Sequence, residues 1–446
     1  LKMPICDIAV TRSRWSFLSK IDTLGSLDFW TLTVSLDSLN PKETANLSVS
    51  ELCSSESLSI QQYEKYAKVL TLATHEYTHY IDATSTVWGM QHLLKLEACL
   101  KVPLNDETQF YNLKKTYDHL RQIRLPDYYT VIEKNSNAEK PWSSEVTSGV
   151  MFNPDGSVGD RPVLFVRFWN AEKNLIARSP ISLVSLLEAS ARANEIECRI
   201  RLVQRLQRDE ALVEKRIINE KTLSYIYNPN FTEYSVCFHL LANCQNEKNI
   251  ATVSMAVGLL TRLVLNFPDI AFITATKNIQ GYANKMQLSL DSLEVMRLKR
   301  SLELRNHGAM FFLICTLLPQ YSLRTMSIFW TGIEAALRDL GLTREKLRYA
   351  AYQEVEECVK RLSKSANGSI RKIANAGHSN FQTTYKRNFT YALEELALPP
   401  ALHGDFTQYS FSNSEKNLLK SYDLDVGYDD LIGGQIRAEK FSEACR

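Results

Sequence analysis

Apolar residues recur along most of this chain at the three- and four-residue spacing of helices, interrupted by a few short runs of β-branched and aromatic character. The run Phe29-Trp30-Thr31-Leu32-Thr33-Val34 predicts a strand. Residues 48–59 are serine-rich and read as a linker. Ser59 and Gln62 then have the spacing of a capping box. They predict a helix from 60 to about 82, followed by a second over about 87–101. Residues 103–146 are polar and mixed, with loop signals at Pro103, Pro126 and Pro141. The apolar runs 150–152 and 163–168 predict a hairpin turning at Pro154-Asp155-Gly156. Ser179-Pro180 has the form of an N-cap with proline at the first helical position, opening a long helix to about 214. Further helices are expected near 230–245, 251–266, 284–305, 309–318, 323–340 and 344–365. The last eighty residues are polar and predict loops, with Gly433-Gly434 as a turn. No internal repeat or low-complexity tract is present. The pattern predicts a mainly α fold with a small β portion (α+β).

Composition narrows the function classes. The chain has 446 residues, 45% hydrophobic and 23% charged, enough for a sizeable core. A metal is not needed to hold such a fold, so a metal site here reads as chemical. The 52 basic and 50 acidic side chains leave a net charge of +2, which gives no strong nucleic-acid signal. The basic stretch at 360–372 reads as a solvated face. Nine scattered cysteines form no C-x-x-C, which argues against a disulfide framework and a thiolate zinc site and suits a reducing compartment. No secretory pattern appears, and the longest strongly apolar run, about 309–319, is too short for a membrane span. The expectation is a cytoplasmic protein.

The chemistry concentrates at His75-Glu76-Tyr77-Thr78-His79. On a helix, His75 and His79 share one face, one turn apart, where two imidazoles can hold one Zn²⁺. Glu76 stands beside them as a general acid/base for a metal-activated water. From Leu72 to Ile81 no other charged residue occurs, as expected of a buried ligand helix. Asp82, three residues after His79, is either a carboxylate orienting an imidazole or a solvent-facing helix end. No phosphate-binding glycine loop and no G-x-S-x-G elbow is present.

These residues resemble the zincin metallopeptidases. The metzincin branch does not fit, because Asp82 and Ser85 stand where its glycine and third histidine belong. The resemblance is to the gluzincin type, in which a glutamate from a later helix completes the site. Glu188 lies in Leu186-Leu187-Glu188-Ala189-Ser190-Ala191 and shares a helical face with Ile181, Val184 and Ala191, so it is the first candidate for the third ligand. Glu195 is the second. The competing reading pairs Glu188 with Arg192, Glu195 with Arg199 and Glu197 with Arg201 as helical ion pairs. The gluzincin pattern of an aspartate four residues after the ligand glutamate is absent, since position 192 is arginine. Tyr225, Tyr227, Tyr234 and His239 are candidate oxyanion donors.

The resemblance implies hydrolysis of peptide bonds, with a protein or peptide as substrate and a regulated intracellular protease of one target as the narrower form. Residues 1–300 would form the catalytic domain. Residues 301–446 would form a helical extension that covers the cleft or docks a regulatory protein. The alternative is a catalytically silent zinc-binding or helical scaffold protein.

Overall fold

A computed structural model describes residues 24–444 apart from 135, 154, 155 and 413. It is 62% helical with about 10% strand in two small sheets, so the chain is mainly α with a small β portion. The expected turn residues Pro154 and Asp155, and Cys6 and Cys445, lie outside the described residues. The seven described cysteines are all free thiols.

The first sheet is built from the two ends of the described chain. Its order is Ser26–Leu27, Val34–Leu36, Ala401–His403 and Gln408–Tyr409, with Val34–Leu36 parallel to Ala401–His403 and the other pairs antiparallel. Of the expected strand at 29–34 only Val34 lies in a strand, and residues 28–33 connect the first two strands. Asp28 accepts hydrogen bonds from the backbone N–H groups of Trp30 (2.8 Å) and Thr31 (3.1 Å), and Leu32 turns the chain at φ 54°. This side-chain-to-backbone bonding offers the chain an alternative to a ladder. Phe29, Trp30 and Leu32 are buried nonetheless, as core plugs carried on a turn.

The second sheet is antiparallel, in the order Val131–Ile132, Leu175–Pro180, Val158–Trp169 and Ser143–Phe152. It contains the expected hairpin, lengthened at both ends. Ser179 and Pro180 belong to it, paired with Val166 and Phe165, and do not start a helix. The cap lies three residues on. Ser182 accepts from the Ser185 N–H, and the Ser185 hydroxyl accepts from the Ser182 N–H.

The expected helix to 214 is two helices, Leu183–Val203 and Arg208–Ile226. The break is tertiary in origin. The Arg205 guanidinium donates to the carbonyls of Glu51 (2.6 Å) and Glu56 (2.8 Å), while Leu58 N–H donates to the Arg205 carbonyl (2.9 Å). The serine-rich linker, which itself holds a 3₁₀ turn at Val49–Cys53, is thereby tied to this corner.

The helix Ile60–Thr84 carries the predicted capping box in both directions, Ser59 to Gln62 and back. It packs along Leu183–Val203, which also packs against Ile250–Leu265. Small residues make the second approach possible, since a Cβ at Gly258 would sit 2.7 Å from the Ala193 Cβ. Helix Val87–Leu100 follows as expected. The C-terminal region departs from expectation, with helices at Gly368–Lys386 and Leu424–Ala444 where loops were predicted. Gly433 and Gly434 lie inside the latter. Gly434 gives the helix room against Trp30, whose ring would be 3.3 Å from an added Cβ. The basic side chains at 360–372 are exposed. One hydrophobic core runs from Leu27 to Ala438, through both of the expected segments. Among the described residues no single helix is long and apolar enough to cross a membrane.

Candidate metal centre

The face shared by His75 and His79 meets the face of Leu183–Val203 that carries Glu188. The packing between these helices is fixed by a buried bond. Asn194 Nδ2 donates to Thr78 Oγ1 (2.9 Å), whose hydroxyl donates to the Thr74 carbonyl (2.7 Å). Asn194 was not singled out from the sequence. Its signal was a short amide sharing a helical face with Leu187, Ala191 and Cys198, where an unpaired polar group is costly.

His75, His79 and Glu188 bring one ligand atom each to within 4.8 Å of one another. The two Nε2 atoms are 3.2 Å apart. Glu188 Oε2 lies 3.6 Å from His75 Nε2, and Oε1 lies 3.7 Å from His79 Nε2. Ligand atoms at 2.0–2.1 Å in tetrahedral directions sit about 3.3 Å apart, so the three residues fit one four-coordinate cation such as zinc. The donor set agrees. His75 Nδ1 faces Glu195 Oε2 at 3.2 Å, so with a proton on Nδ1 its Nε2 lone pair is free to face the shared point.

Glu195 therefore stands behind His75, outside the triad. Its carboxylate is held by Arg192 Nη1, with both oxygens at 2.8 Å. Burial opposes its charge, but Arg192 and His75 outweigh burial and bring it down to about 2. Of the expected helical ion pairs, only Glu197–Arg201 forms, at 2.6 Å. Arg192 takes Glu195 in place of Glu188, and Arg199 donates to Tyr63 Oη (3.4 Å).

Without a cation, burial disfavours a charged His75, but Glu188 and Glu195 more than compensate and raise it to about 10. His79 is pushed well below its ordinary value by burial and by His75. The cluster thus holds one positive charge between two carboxylates. Glu76 is pushed up to about 8 by burial, with Glu188 and Glu195 adding to the effect and His75 opposing it. Its side chain lies against Gly25, where an added Cβ would be 3.0 Å from Glu76 Cγ and 2.9 Å from the Ser35 carbonyl. Only a glycine lets the edge of the first sheet approach the carboxylate this closely.

Asp82 is fully buried, which excludes the solvent-facing reading. Its Oδ1 accepts from Tyr391 Oη (2.6 Å), and Arg262 lies over the Tyr391 ring at 4.1 Å. Arg262 also donates to the Ser190 hydroxyl and carbonyl, both at 3.1 Å. This network braces the end of the motif helix. His79 Nδ1 makes no hydrogen bond among the described residues. Tyr391 and Arg262 are too distant in sequence to be paired with the motif by spacing.

Of the four oxyanion candidates, Tyr225 is the one beside the cluster. Arg192 covers its ring at 4.3 Å, and burial, reinforced by Glu188, raises its pKa. His239 is occupied elsewhere, bonded to the Ile226 carbonyl at 2.9 Å and stacked on Trp142. Tyr227 packs against the same pair, and Tyr234 is 3.4 Å from Arg124 Nη2. No protein-family model, curated protein or solved structure matches this chain.

Proposed function

We propose that the chain is a zinc-dependent metallopeptidase of the gluzincin type. The observation that carries the reading is the convergence of His75, His79 and Glu188 at tetrahedral spacing, with Glu76 on the same helix. His75, His79 and Glu188 would hold the ion. A zinc ion supplies a Lewis acid that polarises a carbonyl and lowers the pKa of a coordinated water to about 7.

The remaining roles fall to the protein. Glu76 accepts the proton of the attacking water on a carboxylate oxygen and returns it to the leaving amine. Burial favours the protonated form of Glu76, which is the form that delivers the proton to the amine. Tyr225 is kept protonated by burial and stands ready as a donor to the carbonyl oxygen. Glu195 orients His75 and is itself oriented by Arg192. The substrate class is a protein or peptide, and the helices beyond residue 300 offer a surface for a regulatory partner.

The test is elemental analysis of the purified chain together with a proteome-wide search for cleaved peptides, run on wild type and Glu76→Gln. About one zinc per chain in both, with cleavage reduced by about 10²–10⁴-fold in the variant, is expected. Zinc binding with identical peptide profiles would leave a silent zinc-binding protein. No zinc uptake by either would remove the reading.

A further inference from the structure

A second polar site lies away from the metal cluster. A cavity of about 200 Å³ is bounded by helix Val87–Leu100, the second sheet and the starts of two helices. Its described lining contains Lys95, Arg161 and Arg305 but no aspartate or glutamate. Arg305 is held by Asp269. Asp160, next to Arg161 in the chain, is held by Arg300 at 2.9 Å.

Lys95 is half-buried and makes no ion pair among the described residues. The one hydrogen bond of its ammonium among them runs to His119 Nδ1 at 3.0 Å. From there His119 Nε2 meets His92 Nδ1 at 3.2 Å, and His92 Nε2 meets the Phe29 carbonyl at 3.0 Å. The carbonyl only accepts and the ammonium only donates, so this chain runs one way. Each imidazole is neutral, with its proton on Nε2. Burial holds His92 near 4 and His119 well below its ordinary value. The histidines therefore cannot neutralise Lys95, and two of its three donors find no partner among the described residues.

Two helices begin on the wall, Leu183–Val203 at its cap Ser182 and His307–Leu317 at its cap Asn306. Helix starts carry partial positive charge. They are pressed together here, because a Cβ at Gly308 would overlap the Ile181 carbonyl oxygen. Cations and helix starts thus face the cavity from several directions. Among the described residues Lys95 and Arg161 make no ion pair. Burial brings Lys95 down to about 8, outweighing Asp269, which favours its charge from a distance. Buried charge of one sign without a partner is expensive, and a dianion would relieve it.

We propose that this cavity binds a small dianionic oxyanion of the phosphate or phosphomonoester class, gripped by Lys95 and Arg161. The volume equals about seven waters at 30 Å³ each, below the usual size of a drug-like pocket, and it suits one phosphate group with a short substituent.

The test is titration calorimetry on the full chain with inorganic phosphate and, separately, glycerol 2-phosphate, against sodium chloride at matched ionic strength. Saturable one-to-one binding is expected for at least one phosphate probe and none for chloride. Lys95→Met and Arg161→Gln should each weaken it by about tenfold or more, and Lys95→Arg should keep it within a few-fold of wild type. Circular dichroism on each variant identifies any that fails to fold, and Lys95→Arg and Arg161→Gln both leave the core untouched. Tighter phosphate than ester marks a free ion as the occupant, and the reverse marks an ester. The proposal is overturned if neither probe saturates, or if folded Lys95→Met and Arg161→Gln bind as wild type. Because neither residue touches the cluster of His75, His79 and Glu188, phosphate binding at a metal ion there would be unchanged in both variants and would also count against it.

Discussion

The sharpest test of the metal centre separates Glu188 from Glu195. The first faces both Nε2 atoms at 3.6 and 3.7 Å, and the second faces only Nδ1 of His75 at 3.2 Å. A carboxylate that orients a ligand histidine typically costs 10–100-fold in metal affinity when lost. Glu195 shares its charge with Arg192, which weakens its pull on the His75 proton, so the lower end of that range applies. Glu195→Gln should thus weaken zinc by about tenfold, or ~1.4 kcal/mol. Glu188→Gln removes a direct charged donor and should exceed the upper end, more than about 100-fold. Competition titration against a chromophoric chelator gives both affinities, and elemental analysis gives stoichiometry. At micromolar protein Glu195→Gln should still carry one zinc while Glu188→Gln comes through purification depleted. If Glu195→Gln is the depleted variant and Glu188→Gln keeps its metal, the assignment of inner and outer carboxylates is wrong.

Three further outcomes follow from the packing. Burial lowers His239 to about 4, so as pH falls from 6.5 toward 4 the unfolded chain takes up a proton that the folded chain refuses, and stability is lost. Between pH 7 and pH 5 this amounts to about 2 kcal/mol, and His239→Phe should show a correspondingly flatter loss by urea unfolding; equal slopes would contradict it. Gly377→Ala places a Cβ against the Thr84 carbonyl at the end of the motif helix and should cost about 1–3 kcal/mol, seen as a lower urea midpoint. An unchanged midpoint would mean the two helices separate freely there. Asn194→Leu and Thr78→Val, singly and together, should give a coupling of about 1 kcal/mol in a double-mutant cycle, where strict additivity would show that their hydrogen bond contributes nothing.

The motif helix was legible because its information is local. The Ser59–Gln62 box, the uncharged fillers and the four-residue histidine spacing all lie within twenty-five residues. Glu188 was legible as a carboxylate on an apolar face. Its distinction from Glu195 was not, because that depends on which glutamate Arg192 turns toward. The break after Val203 also escaped, since a contact with the 51–58 segment causes it. Asp28 overrode the strand propensity of its neighbours by bonding the N–H groups of Trp30 and Thr31. The first sheet had no local signature at all, because its two central strands lie at opposite ends of the chain. In the C-terminal region, polar character and the Gly433-Gly434 pair suggested loops, yet Gly377 and Gly434 serve close helix packing.

The clamp on the motif helix has a consequence for how the protein is made. Tyr77 Oη donates to the Pro399 carbonyl at 2.8 Å, and Tyr391 holds Asp82 across 309 residues of sequence. A ribosome adding about 5–20 residues per second delivers those partners some 15–60 s after the histidines have emerged. A nascent chain therefore carries the motif helix through some 300 further residues of synthesis without the segment that braces it. Termination between residues 79 and 391 leaves the histidines present but unbraced, and the proposed chemistry is postponed until the segment around Tyr391 and Pro399 has been made.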